Sequence, residues 1–300
     1  RLAEVAQWLE VQTRRLPDNK SLQLYRVRFL IKAGQPAQAL EQLARMSRHW
    51  PRDGEISLLA GLICIDLKKP LEAERYLLQL LPLDEYVDQA YYYLGINAER
   101  QGHTDTALIY LLKVESPDLY RKAQQKIVSL RLSQNRLDDA LNGLTQQRVD
   151  HPDQSDFLYL LQAHLLRDHG RNEQARKLID EALSSQPDQA ELLYMRVLLL
   201  HPDESAQKMA DLHQLLNLQP NNPIYINAYA YALAEQNVRL DEARQLAEQA
   251  NQLDPDHPAI LDTLGYIALR QNRLDAARAA AGRRRRGGRG GVRGAGGDRK

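Results

Sequence analysis

Few side chains in this 300-residue chain have types and spacing suited to chemistry. His164 and Asp168 stand four apart, which puts two metal ligands on one helix face, but a zinc site needs three or four and no others follow. The acidic pairs Asp138-Asp139 and Asp241-Glu242 fall where helices begin, and there carboxylates complement the positive end of the helix dipole. His151, His201 and His257 each precede a proline, so they read as solvated turn residues. Cys64, the only cysteine, excludes an internal disulfide framework, and its neighbours Gly61 and Leu67 mark it as a small buried hydrophobe. No phosphate-binding glycine loop, zinc-protease helix or nucleophile elbow is written in the chain. The expectation is a protein without enzymatic activity, cofactor or metal.

The elements that position these residues announce themselves by period. Ala39, Ala73, Ala107, Ala140, Ala175, Ala243 and Ala277 recur at steps of 34, 34, 33, 35, 68 and 34. Pro17, Pro51, Pro117, Pro152, Pro187, Pro220 and Pro255 keep the same clock. Two residue types sharing one period resemble tetratricopeptide repeats, whose unit is a helix, a turn and a second helix. The fold expected is all-α: a right-handed superhelical solenoid of antiparallel helix pairs, about eight repeats long. Residues 1–17 read as the second helix of a half repeat, 18–281 as the solenoid, and 282–300 as a disordered Arg/Gly tail.

In the third repeat, Tyr91, Leu94 and Gly95 share one face of a first helix. Gly102 ends that helix, and Ala107, Leu111 and Val114 face inward from the second. A side chain larger than Gly or Ala at the Gly95 crossing would push the helices apart. Leu264, Gly265 and Ala277 repeat this logic in the eighth unit. The Asp or Asn after a terminal proline, as in Pro187-Asp188, Pro220-Asn221 and Pro255-Asp256, is expected to cap the next helix. Two units deviate. In the sixth, Met209 takes the alanine position and His201-Pro202-Asp203-Glu204 replaces the glycine turn, so a looser crossing is expected. The seventh carries one extra residue in Gln236-Asn237-Val238-Arg239.

The two ends differ from the middle. No apolar stretch approaches the roughly 20 residues a membrane helix needs. The chain starts at Arg1, so any signal or lipid anchor is expected upstream. From Gly282 onward, eight Gly and seven Arg replace the helical period. That segment carries eight basic and one acidic residue, against 32 basic and 38 acidic before it. Such a tail could hold nucleic acid through phosphates, but it lacks Phe and Tyr for stacking. A GC-rich gene read out of frame after about Ala281 accounts better for it.

Aromatics in the groove of a helix array are anchors for a bound protein segment. Tyr92, one step round from the packing position of Tyr91, is expected to face that groove, as are Tyr231 and Tyr266. Glu99, Arg100, His164, Arg167, Asp168 and Asn227 are the polar candidates on the same helices, and their mixed signs argue against a purely anionic ligand. Leu58, Leu62, Ile96 and Ser129 occupy positions where a carboxylate clamp would need polar groups, so chaperone-tail binding is not expected.

One stretch is more particular. Asn227-Ala228-Tyr229-Ala230-Tyr231-Ala232-Leu233-Ala234, then Arg239-Leu240-Asp241-Glu242-Ala243-Arg244, then Pro255-Asp256-His257-Pro258-Ala259-Ile260-Leu261-Asp262-Thr263-Leu264-Gly265 resembles the LbcA-like outer-membrane tetratricopeptide lipoproteins of proteobacteria. The likeness runs roughly from residue 50 to 281. It implies an adaptor on the periplasmic face of the outer membrane that binds and activates a carboxyl-terminal processing protease and brings it to cell-wall hydrolases. A scaffold for envelope-polysaccharide or secretion-complex assembly is the rival reading, and nucleic-acid binding through the tail a second. By the same resemblance, the partner is a protein and membrane attachment comes only through an upstream lipid.

Overall fold

The computed structural model describes the backbone of residues 2–293 and the side chains of residues 4–284. Among the described residues the structure is all-α, with seventeen helices and no strand. A lone α1 (Leu2–Arg15) precedes eight hairpins. These pair α2 (Lys20–Lys32) with α3 (Pro36–His49), α4 (Gly54–Asp66) with α5 (Pro70–Leu78), α6 (Val87–Arg100) with α7 (Thr104–Leu111), and α8 (Pro117–Ser133) with α9 (Leu137–Asp150). The next four pair α10 (Ser155–Asp168) with α11 (Asn172–Ser185), α12 (Ala190–Leu199) with α13 (Ser205–Leu218), α14 (Pro223–Glu235) with α15 (Leu240–Leu253), and α16 (Pro258–Arg270) with α17 (Leu274–Arg293). The chain divides into two compact units, one ending at Gly143 and one starting at Leu144. In the first unit α3 packs on α4 and α4 on α6; in the second α11 packs on α12 and α14 on α16.

The period has a backbone cause. In seven of the eight hairpins the first helix ends on a residue in the left-handed region: Gly34, Lys68, Gly102, Asn135, Gly170, Asn237 or Asn272. The next N–H then reaches back to close the helix, as His103 N–H does to the Ala98 carbonyl at 2.9 Å and Arg136 N–H to that of Arg131 at 2.9 Å. Glycine adopts this conformation without penalty and asparagine at low cost, so both types mark the turn.

The recurring alanines are each the fourth residue of a second helix, and Ala39, Ala73, Ala107, Ala140, Ala175 and Ala243 are all 0% exposed. Buried apolar residues follow at four and seven positions on, as in Ala73, Leu77 and Leu80 or Ala107, Leu111 and Val114. This register corrects the reading of the sixth hairpin. The fourth residue of α13 is Lys208, with Leu212 and Leu215 buried four and seven further on. Met209 sits one step round, partly exposed. Lysine is tolerated because its amine leaves the crossing to meet Glu235 Oε2 at 3.1 Å.

Helix starts also differ from expectation. Asp188, Asn221 and Asp256 precede the caps, and Gln189, Asn222 and His257 hold those positions. True side-chain caps come two residues after the proline, where the chain has turned to aim an oxygen at the first N–H groups. Asn19 accepts from Leu22 N–H at 3.0 Å, Asp53 from Ile56 N–H at 3.1 Å and Asn222 from Ile224 N–H at 3.0 Å. The extra residue of the seventh hairpin is absorbed by Arg239, which is left-handed at φ 49°. α17 runs from Leu274 to Arg293 and so takes in the first part of the Arg/Gly segment expected from Gly282, including five glycines that each weaken a helix by about 1 kcal/mol. The rest of that segment, residues 294–300, lies outside the described residues.

Candidate partner-binding face

The expected groove residues divide between the two units, and the structure treats the two sets differently. In the first unit they are engaged by neighbouring hairpins. Arg100, at the end of α6, donates from Nη1 to the Ile65 carbonyl at 3.0 Å, closing the C-terminus of α4. Glu99 holds Lys126 of α8 at 3.0 Å. Tyr92 is half-buried edge-on against Tyr93, with ring centroids 5.3 Å apart, and packs on the cluster around Ala98 and Ala107. These polar bonds share a spacing: Arg28–Glu55, Asn97–Pro70, Glu99–Lys126 and Lys208–Glu235 are all 27 residues apart, the offset between facing positions on successive hairpins.

In the second unit several candidates remain available. His164, Arg167 and Asp168 lie on the last two turns of α10, with Arg167 Nη2 at 3.5 Å from Asp168 Oδ1. Desolvation holds the His164 imidazole below its ordinary value; Arg167 pushes the same way and Asp168 opposes. On the first helices that follow, aromatic rings meet in pairs. Tyr194 of α12 lies 5.3 Å from Tyr225 of α14, and Tyr231 of α14 lies 5.4 Å from Tyr266 of α16 at 35°. Burial raises the Tyr194 and Tyr225 hydroxyls above their usual value, so both stay protonated donors. Tyr231 is shifted the same way, first by desolvation and then by Glu235 and Tyr266.

Tyr231 and Tyr266 form the open end of this arrangement. Tyr231 remains 42% exposed, and the Arg270 guanidinium stands 5.8 Å from the Tyr266 ring centroid. One turn before Tyr231, Asn227 is buried, yet its Oδ1 accepts no hydrogen bond. A buried acceptor without a donor is costly. The two rings and the cation suit an extended polypeptide presenting apolar and polar side chains, whereas the Asn227 oxygen is closed off from the surface.

Tyr194, Tyr225 and Arg270 were not singled out from sequence. Arg270 could have been found by register, since it stands five residues after Gly265 as Arg100 does after Gly95. Tyr194 carries no such mark, because the sixth hairpin lacks the small residue that sets the count.

Comparison with known proteins agrees with the repeat reading. A family model described as tetratricopeptide repeat matches residues 26–88 and 160–206. The TPR repeat-containing protein PA4667 of Pseudomonas aeruginosa is 36% identical over 189 residues, covering 63% of this chain. The chain spans about a third, 32%, of that relative's length. Among solved structures, a MamA RS-1 double mutant aligns over 57% of this chain and 95% of its own, with a TM-score of 0.46 and 16% identity. The APC/C hetero-tetramer Cut9-Hcn1 aligns over 89% of this chain and 52% of its own, with a TM-score of 0.44 and 14% identity.

Proposed function

We propose that this tetratricopeptide-repeat chain is a non-catalytic scaffold that docks a protein partner, and that Tyr231, Tyr266 and Arg270 form part of the docking face. The observation that carries this reading is the Tyr231–Tyr266 ring pair, with Tyr231 exposed and the Arg270 guanidinium beside it. A repeat array has no enclosed site of its own; it contributes area and alignment.

The narrower reading is an envelope adaptor that binds and activates a periplasmic carboxyl-terminal processing protease. It is supported by the resemblance carried by the run Pro255 to Gly265. On this reading the parent protein is lipidated and faces the periplasm from the outer membrane. The protease does the chemistry while the array holds it near cell-wall hydrolases.

Affinity capture from cells carrying the full-length protein tests both levels. Recovery of a processing protease, lost with Tyr231→Ala and Tyr266→Ala, is the expected result. Recovery of polysaccharide-assembly or secretion components in its place would overturn the protease assignment while keeping the scaffold. Capture unchanged by both substitutions would remove these tyrosines from the interface.

A further inference from the structure

We propose that a half-open cleft lined by α1, α2 and α3 in the first unit binds an acidic peptide segment through its glutamate or aspartate side chains. The cleft measures about 400 Å³. Its floor is a buried amide pair: Gln42 donates to Gln23, which in turn donates to the Thr13 carbonyl at 2.9 Å. Arg26 rises from this floor with its side chain only 13% exposed. Its Nη1 donates to Thr13 Oγ1 and to Gln42 Oε1, both at 3.2 Å and both neutral acceptors. Its Nη2 lies 3.9 Å from Glu10 Oε2, beyond hydrogen-bond range.

The charges around the cleft do not balance. Arg45 donates to the same neutral Gln42 oxygen at 3.1 Å, and Arg14 holds Glu10 at 2.5 Å. His49 is engaged by Asp18 at 2.9 Å. Among the described residues, three guanidiniums therefore line the cleft beside one carboxylate, that of Glu10. This is not general basicity, because residues 1–281 carry more acid than base, 38 against 32. Burial lowers the Arg26 value; Glu10 opposes this, and Arg45 and Arg14 add to the lowering. Since a guanidinium stays charged in proteins, an incoming anion would stabilise it here. A carboxylate meets such a fork with two charge-assisted hydrogen bonds.

The walls favour a peptide over a bare oxyanion. Met46, Trp50 and Pro17 supply an apolar side, suited to the methylene stem of a glutamate. The excess of two positive charges matches two neighbouring carboxylates on one chain. Arg14 and His49 are 76% and 50% exposed at the rim, so an extended segment can reach the floor from solvent.

The test is fluorescence anisotropy of the full chain with a labelled glutamate-rich peptide, against the same peptide with glutamine in place of glutamate. The glutamate peptide should bind at low ionic strength and weaken several-fold near 0.3 M salt, where the Debye length falls to about 6 Å. Arg26→Met and Arg45→Gln should each weaken it by about tenfold, while Arg278→Gln, an exposed arginine of the second unit, leaves it unchanged. Arg45 is exposed, so its substitution keeps the test valid even where Arg26→Met fails to fold. Binding that ignores Arg45→Gln, or that is lost with Arg278→Gln, would overturn the site. Inorganic phosphate that binds alone more tightly than the peptide would overturn the peptide assignment. Peptide binding that persists when cells yield no captured partner would count against the docking scaffold and leave this site standing.

Discussion

The Arg196 guanidinium forks onto the Asp211 carboxylate, Nε to Oδ2 and Nη2 to Oδ1, both at 2.8 Å. Asp211 is 1% exposed and also accepts from Gln207 at 2.8 Å. The pair joins α12 to α13 in the one hairpin that lacks both the left-handed turn residue and the small crossing residue. The looser crossing expected there is instead bridged by charge. Arg196 reaches Asp180 at 3.2 Å, and Asp180 meets Arg176, which also holds Glu204 of the hinge at 2.6 Å.

Breaking that fork from one side should cost more than replacing it entirely. Arg196→Met strands a buried carboxylate and is expected to lower stability by about 3 kcal/mol in urea denaturation. Adding Asp211→Leu should recover most of the loss, because an apolar pair carries no unpaired charge. A double variant as unstable as the single one would mean that the pair is not what joins the helices.

Gly95 and Gly265 hold equivalent places but should respond oppositely to alanine. A Cβ on Gly95 would stand 2.7 Å from Leu111 Cγ and 3.3 Å from the Ala107 carbonyl, so Gly95→Ala should destabilise by about 1–3 kcal/mol. On Gly265 the nearest atom would be Ala280 Cβ at 3.6 Å, an ordinary contact. Gly265→Ala is therefore expected to gain about 0.5–1 kcal/mol from helix propensity alone. Melting curves of the two variants check the difference in sign.

The turn residues give a second pair of opposite signs. Gly102 is left-handed at φ 79°, and a Cβ there would meet nothing within 4 Å. Gly102→Ala should still lose about 1 kcal/mol, because the backbone conformation itself is the cost. Lys68 already bears that cost at φ 57°, so Lys68→Gly should gain a comparable amount. Equal and unchanged midpoints for both variants would show that these turns are not held left-handed in solution.

His164 makes stability depend on pH in a defined direction. Its folded value lies below 6.5 because desolvation disfavours the imidazolium, so the unfolded chain binds the proton more readily. Stability should be intact above about pH 6.5 and fall as the pH drops through that value toward the lower folded one. Urea midpoints at pH 8 and pH 5.5 should differ less in His164→Gln than in the parent. An equal or larger difference in the variant would contradict the assignment.

Much of the architecture was legible because each hairpin touches only its neighbours, so every unit must solve the same local problem. A helix has to stop, turn and cross closely, and Gly102, Ala107 and Gly95 are the answers to those requirements. The sixth hairpin escaped this logic by one residue, since nothing in a run of Lys208 and Met209 tells which side chain meets the crossing. Its count is set by Leu212 and Leu215 finding the core.

By itself the sequence determined the all-α class, the period and the turn positions, since backbone conformation and side-chain volume act within one repeat. The three-dimensional structure decided which polar residues are already engaged and which remain open. Arg100 and Glu99 look as available in the sequence as Tyr231 and Tyr266, yet the first two are consumed by Ile65 and Lys126 while the tyrosines face each other with solvent beside them. Those bonds join residues 27 or 35 positions apart. They depend on how far each hairpin is displaced from the last, a quantity that no single repeat encodes.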